Sequence, residues 1–132
     1  MSRRLNIMSD CPFCNVTEDE VVCSNELAIA RFDKYPVSTG HTLIIPIRHI
    51  ENIDEASNVE QKELWKLVQK VKAHIEEEYA PDGFNIGVNL GEAAGQSIPH
   101  LHIHLIPRYQ GDMPEPLGGV RGVIPQKQKY SK

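Results

Sequence analysis

Apolar positions recur along this chain at two different periods, and each period predicts a different element. Residues 21–23 and 27–32 are short apolar runs separated by Ser24-Asn25-Glu26, a turn composition, so they predict a hairpin. Residues 33–40 hold Pro36 and Gly40 and predict a loop. His-Thr-Leu-Ile-Ile-Pro-Ile at 41–47 is β-branched and apolar enough for a buried strand, which Pro46 should close. Residues 51–56 suit a helical turn. Ser57-Asn58-Val59-Glu60 then fits a capping box, a hydroxyl N-cap with a glutamate three residues on. Leu64, Leu67, Val68, Val71 and Ile75 follow at steps of three and four, one face of an amphipathic helix that Pro81-Asp82-Gly83 ends. Residues 84–89 alternate again and predict a strand. Residues 90–99 contain Gly91, Gly95 and Pro99 and predict a loop leading into a last strand that carries His100, His102 and His104.

About five strands and one main helix result, with connections too short for repeated βαβ crossovers. The expected fold class is α+β, an antiparallel sheet with the helix packed on one face. The 132 residues suit one domain, read as a flexible tail at 1–10, a domain at 11–110 and an irregular C-terminal extension at 111–132. The net charge is −4 and the fourteen Lys and Arg are scattered, so no basic stripe points to nucleic acid. No apolar run approaches the ~20 residues that span a membrane. The start of the chain lacks the apolar stretch of a signal peptide, and three cysteines make no disulfide framework, so the expected compartment is cytoplasmic.

The last strand carries the chemistry. Successive side chains of a strand point to opposite faces, so His100, His102 and His104 share one face while Leu101, Ile103 and Leu105 share the other. The aliphatic face can enter a core. The other face offers imidazoles, each able to act as nucleophile, proton carrier or metal ligand near neutral pH. A neutral imidazole can attack phosphorus or an acyl carbon, provided an acceptor on its other nitrogen sets the tautomer.

Cys11-Pro12-Phe13-Cys14 supplies two thiols at zinc-hook spacing, and structural zinc wants four ligands. His41, His49, His74 and the triad are the candidates for the rest. His74 lies on the solvent side of the helix, whereas His49 and His100 can meet at one sheet edge, so Cys11, Cys14, His49 and His100 form the expected set. A redox pair and inert surface cysteines are the competing readings of Cys-x-x-Cys. Cys23 reads as a core residue. The loop Gly91-Glu92-Ala93-Ala94-Gly95-Gln96-Ser97 is of the small, glycine-containing kind whose backbone N–H groups can approach phosphate oxygens.

These residues resemble the histidine triad (HIT) family, whose signature alternates three histidines with hydrophobic residues. It stands complete as His100-Leu101-His102-Ile103-His104-Leu105-Ile106, flanked by Gly40-His41-Thr42-Leu43-Ile44-Ile45-Pro46, Gly95-Gln96-Ser97 and Pro107-Arg108-Tyr109. The resemblance spans residues 11–109. It implies a homodimer with a continuous sheet, and hydrolase or transferase activity on nucleoside phosphates. It assigns His102 as the nucleophile toward an α-phosphate, with His104 and His41 orienting it and contacting phosphate. It also places Asn89, Gln96 and Ser97 near the α-phosphate or leaving group, Asp33 on the ribose hydroxyls and Phe32 along the base. Zinc-containing members resemble this chain in the set Cys11, Cys14, His49 and His100, where His100 becomes structural.

The leading expectation is therefore a nucleotidyl hydrolase or transferase acting on phosphoanhydrides of the diadenosine polyphosphate kind, or on phosphoramidates. It proceeds through a nucleotidyl-histidine and needs no catalytic cofactor. Ser97 matches the phosphoramidase branch and Glu92-Ala93-Ala94-Gly95-Gln96 the dinucleotide-hydrolase branch. The alternative is a nucleotide-binding or interaction module of the same fold with little turnover.

Overall fold

In a computed structural model, residues 10–130 are described; apart from Asp10, the expected tail at 1–10 lies outside them. Five strands form one antiparallel sheet: β1 (Val21–Ser24), β2 (Ala28–Phe32), β3 (Thr42–Pro46), β4 (Gly83–Val88) and β5 (Ile103–Arg108). Their spatial order is β1-β2-β3-β5-β4, so β5 inserts between β3 and β4 and β4 is left at an edge. The β1–β2 turn is fixed by Asn25, whose Oδ1 accepts from the backbone N–H groups of Leu27 (3.0 Å) and Ala28 (2.9 Å).

The long helix among the described residues, α1 (Asn58–Tyr79), starts where the capping box predicts. Ser57 Oγ accepts from the Glu60 N–H (3.0 Å), and Glu60 Oε1 accepts from the Ser57 N–H (2.9 Å). Its five periodic apolar side chains are all buried. They pack with Ala28, Ala30, Ile44, Leu101, Ile103 and Leu105 into the main core. Burial of each such side chain contributes about 2 kcal/mol.

The opposite face of the sheet holds a smaller cluster of Cys11, Phe13, Leu43 and Ile45. Because both faces of β3 are covered, every residue of that strand is buried. The chain ahead of β1 therefore closes the second face, and this is the face on which the histidines stand.

The last strand begins later than its alternation predicts. His100 and His102 precede it, and β3 pairs with β5 only from Thr42↔Leu105 to Ile44↔Ile103. The alternation survives without the ladder, since Leu101, Ile103 and Leu105 are each fully buried on the helix side. Pro107 sits within β5 beyond the reach of β3, where a missing N–H leaves no gap in that ladder. The loop at 38–40 covers it, with Ser38 Oγ donating to the Pro107 carbonyl (2.7 Å). Beyond β5, residues 110–130 carry two short 3-10 turns, Gly119–Val123 and Pro125–Lys127.

Candidate active site and metal site

Hydrogen bonds fix the tautomers of three histidines on the face of the sheet opposite α1. The Val37 N–H donates to His41 Nδ1 (3.1 Å), so a neutral His41 carries its proton on Nε2. That Nε2 meets His104 Nδ1 at 3.0 Å and lies 3.4 Å from Asp33 Oδ2. His104 therefore accepts through Nδ1 and keeps its own proton on Nε2. His102 is set separately, because its Nδ1 lies 2.8 Å from the His100 carbonyl, which can only accept. Nε2 of His102 is then an unprotonated lone pair. The His102 and His104 rings stand edge to face, with centroids 5.0 Å apart.

Burial keeps this relay neutral. It is the main cause that holds His41 below the ordinary histidine range, against the opposing charge of Asp33. It also pushes His104 down to about 4, with the charges of His102 and His41 adding and Asp33 opposing. One ring thus offers a lone pair while its neighbour offers an N–H, the pairing a displacement at phosphorus requires.

Both rings open into a cavity of about 530 Å³. Asp33, Asn89 and Ser97 line it beside His102 and His104. Its apolar wall comes from Pro12, Phe13, Leu43 and Ile98, with Arg31, Lys34 and Tyr35 along the rest. Phe13 packs edge-on against His102, centroid to centroid 4.9 Å.

Two expected contacts lie elsewhere. Phe32 lines a neighbouring hollow of about 500 Å³ with Asp33, His41 and Tyr79. It shares the helix-side face of β2 with Ala28 and Ala30, while Arg31 takes the cavity side. Gln96 stitches its own loop instead of lining the cavity. Its Oε1 accepts from the Gly91 N–H (2.9 Å), and its Nε2 donates to the Glu51 carbonyl (3.0 Å). The same loop's N–H groups at Ala94, Gly95 and Gln96 go to the carbonyls of Gly91 and Glu92, so they are not turned to a phosphate. The residues missed, Phe13 and Arg31, did carry a signal. Phe13 lies between two cysteines expected near His100, and Arg31 is the one charge in the apolar run 27–32.

The four expected ligands converge beside this cavity. Their ligand atoms lie within 4.8 Å of one another, so Cys11, Cys14, His49 and His100 can hold a metal ion. His100 Nε2 donates to the Pro46 carbonyl (2.9 Å), which aims its bare Nδ1 at Cys11 Sγ (3.3 Å) and Cys14 Sγ (3.5 Å). His49 Nδ1 lies 3.0 Å from Cys14 Sγ and 3.1 Å from His100 Nδ1. Burial pushes the Cys14 thiol up to about 11, and the hydrogen bond and charge of neighbouring Cys11 add to it. A cation at the centre would reverse that repulsion. His74 is exposed on α1, 4.0 Å from Glu78, away from both sites.

Comparison with known proteins agrees with this geometry. "Protein hit" from Bacillus subtilis is 38% identical over 113 residues, which cover 82% of this chain and 78% of that protein. "AP-4-A phosphorylase" from Mycobacterium tuberculosis is 36% identical over 105 residues, 79% of this chain but only 54% of the longer relative. Among solved structures, a zinc-bound histidine triad family protein from Mycobacterium smegmatis superposes with a TM-score of 0.74 at 27% identity, covering 82% of this chain and 81% of that one. The family model for the HIT domain matches residues 15–111, and the chain belongs to the HIT family.

Proposed function

We propose that this protein is a nucleotidyl hydrolase or transferase that opens a phosphoanhydride or phosphoramidate bond of a nucleotide through a nucleotidyl-histidine. The observation that carries the reading is the tautomer pair, a bare Nε2 on His102 beside an Nε2–H on His104 in one cavity. His102 Nε2 attacks the α-phosphorus and the bond to the leaving group breaks, with its electron pair departing on that group. His104 Nε2–H stabilises charge on a non-bridging oxygen, and His41 holds His104 in that tautomer. Water then attacks phosphorus and gives up a proton to solvent, the P–N bond breaks with its electron pair returning to Nε2, and His102 is regenerated. Asp33 would take the ribose hydroxyls, and Asn89 and Ser97 the phosphate or leaving group, all from the cavity wall. The name of the mycobacterial relative supports substrates of the diadenosine polyphosphate type.

The Cys11, Cys14, His49 and His100 cluster suits zinc. Zinc bonds of about 2.3 Å to sulfur and 2.1 Å to nitrogen set tetrahedral edges of roughly 3.3–3.8 Å. The S···N and N···N separations of 3.0 to 3.5 Å are close to that. Bound there, the ion would cross-link residues 11–14 to the sheet. Phe13, between the two thiols, would then be held as a wall of the cavity. The open edge at β4, where no residue is fully buried, suits the expected pairing of two copies into a homodimer.

The test is His102→Ala assayed against a diadenosine polyphosphate and an adenosine phosphoramidate. Turnover by the wild type and its loss in the variant support the reading. Equal residual rates in both proteins favour a binding module without turnover.

A further inference from the structure

We infer that Arg31 reads the base of the bound nucleotide and that the base it selects is guanine, an inference that rests on the nucleotide reading above. Arg31 is 5% exposed and stands in the same cavity wall as Phe13, Leu43 and Ile98. A guanidinium in such surroundings is costly unless its donors are used. Its Nε donates to the Phe32 carbonyl (3.2 Å), and Nη2 reaches Glu20 Oε2 (3.4 Å). Nη1 donates to no group among the described residues, and since no buried side-chain polar atom there lacks a partner, it is reached by solvent. Glu20 also faces Lys34 (3.6 Å), so it orients Arg31 from the rim without closing the fork.

Register places this fork at the base end of the site. Arg31 pairs with Leu43, and Leu43 pairs with His104, so the three side chains form one row across the cavity face. Two strand spacings put Arg31 about 10 Å from His104. A nucleotide with its phosphorus at His102 and its ribose at Asp33 lays its base over Leu43, with an edge toward Arg31.

A guanidinium has donors only. Guanine presents two adjacent acceptors, N7 and O6, which match the fork. Adenine presents N7 beside the N6 amino group, and that second donor would face the guanidinium N–H. Cytosine likewise presents an amino donor. Uracil presents O4 beside a C–H, a single acceptor, so the selectivity falls on guanine, and phosphoanhydrides or phosphoramidates of guanosine are preferred over those of adenosine.

The experiment is isothermal titration of the full chain with the 5′-monophosphates of guanosine, inosine, 7-deazaguanosine and adenosine. Guanosine and inosine monophosphates should bind about 10-fold or more tighter than adenosine monophosphate, since both carry O6 and N7. The 7-deaza analogue should lose about 10-fold by deletion of N7, a readout that needs no variant. In Arg31→Met the monophosphates should converge to within about twofold. Equal affinities in the wild type, or a preference that survives Arg31→Met, would overturn the inference while leaving the nucleotide site standing. A uniform loss across all four in Arg31→Met would also overturn it and assign Arg31 to phosphate. If none of the four binds, the nucleotide reading itself falls, and this inference with it.

Discussion

Replacing His104 with Gln should flatten the acid side of the protein's stability profile, because the relay holds that imidazole neutral. In the unfolded chain His104 titrates at 6.5, and in the fold at about 4, chiefly through burial. Between those values the unfolded state binds a proton that the folded state refuses. Stability therefore rises with pH from about 4 to 6.5 and is level above that. At pH 5 the unfolded side chain lies 1.5 pH units below its midpoint, worth about 2 kcal/mol if the ring were fully shielded. The ring is partly reached by solvent, so about half, ~1 kcal/mol, is the working figure. Glutamine keeps an acceptor for His41 Nε2 but does not titrate. Thermal unfolding of wild type and His104→Gln at pH 7.5 and pH 5, in matched metal content, isolates this group. His41, depressed for the same reason, remains in both proteins and cancels. The wild type should lose about 3–5 °C more in Tm than the variant across that interval. Parallel profiles would show that His104 is not held neutral by the fold, and the donor role assigned to its Nε2–H would lose its basis.

Three further outcomes follow from the same coordinates. His104→Ala removes a donor aimed at developing phosphate charge, so kcat should fall about 10²–10³-fold with KM changing less, measured by steady-state release of nucleoside monophosphate. The protein should carry about one zinc per chain by elemental analysis, and Cys14→Ser should lose it together with part of the thermal stability. Ser57→Ala strips the N-cap of α1 and should cost about 1 kcal/mol in urea denaturation without altering turnover.

The parts of the fold governed by local spacing are legible in the sequence. Alternation placed Leu101, Ile103 and Leu105 in the core, because the i, i+2 relation holds in any extended chain, paired or not. The capping box fixed the start of α1 for the same reason, since its two hydrogen bonds span only three residues. The zinc-hook spacing singled out Cys11 and Cys14, and the expected sheet edge added His49 and His100, four side chains that the fold brings together. What spacing could not supply was the strand boundary at Ile103. His100 and His102 are held by a side-chain bond to the Pro46 carbonyl and by the His100 carbonyl itself, contacts that replace a ladder.

Phe32 and Arg31 show why the base end was harder to read than the phosphate end. An aromatic next to Asp33 is a natural candidate for a base wall, and alternation alone gives both faces of β2 equal standing. The choice is made two strands away. Leu43 must sit opposite Arg31 and His104 opposite Leu43 for the row to exist. Once β5 enters between β3 and β4 with His104 on the cavity face, that register turns Arg31 inward and sends Phe32 toward Tyr79 on the other side. A one-residue slip of β2 against β3 would exchange the two side chains and replace a donor fork with a hydrocarbon ring. The side chain that faces the cavity from β2 is therefore a property of strand pairing, while the histidine proposed to attack is singled out by the motif.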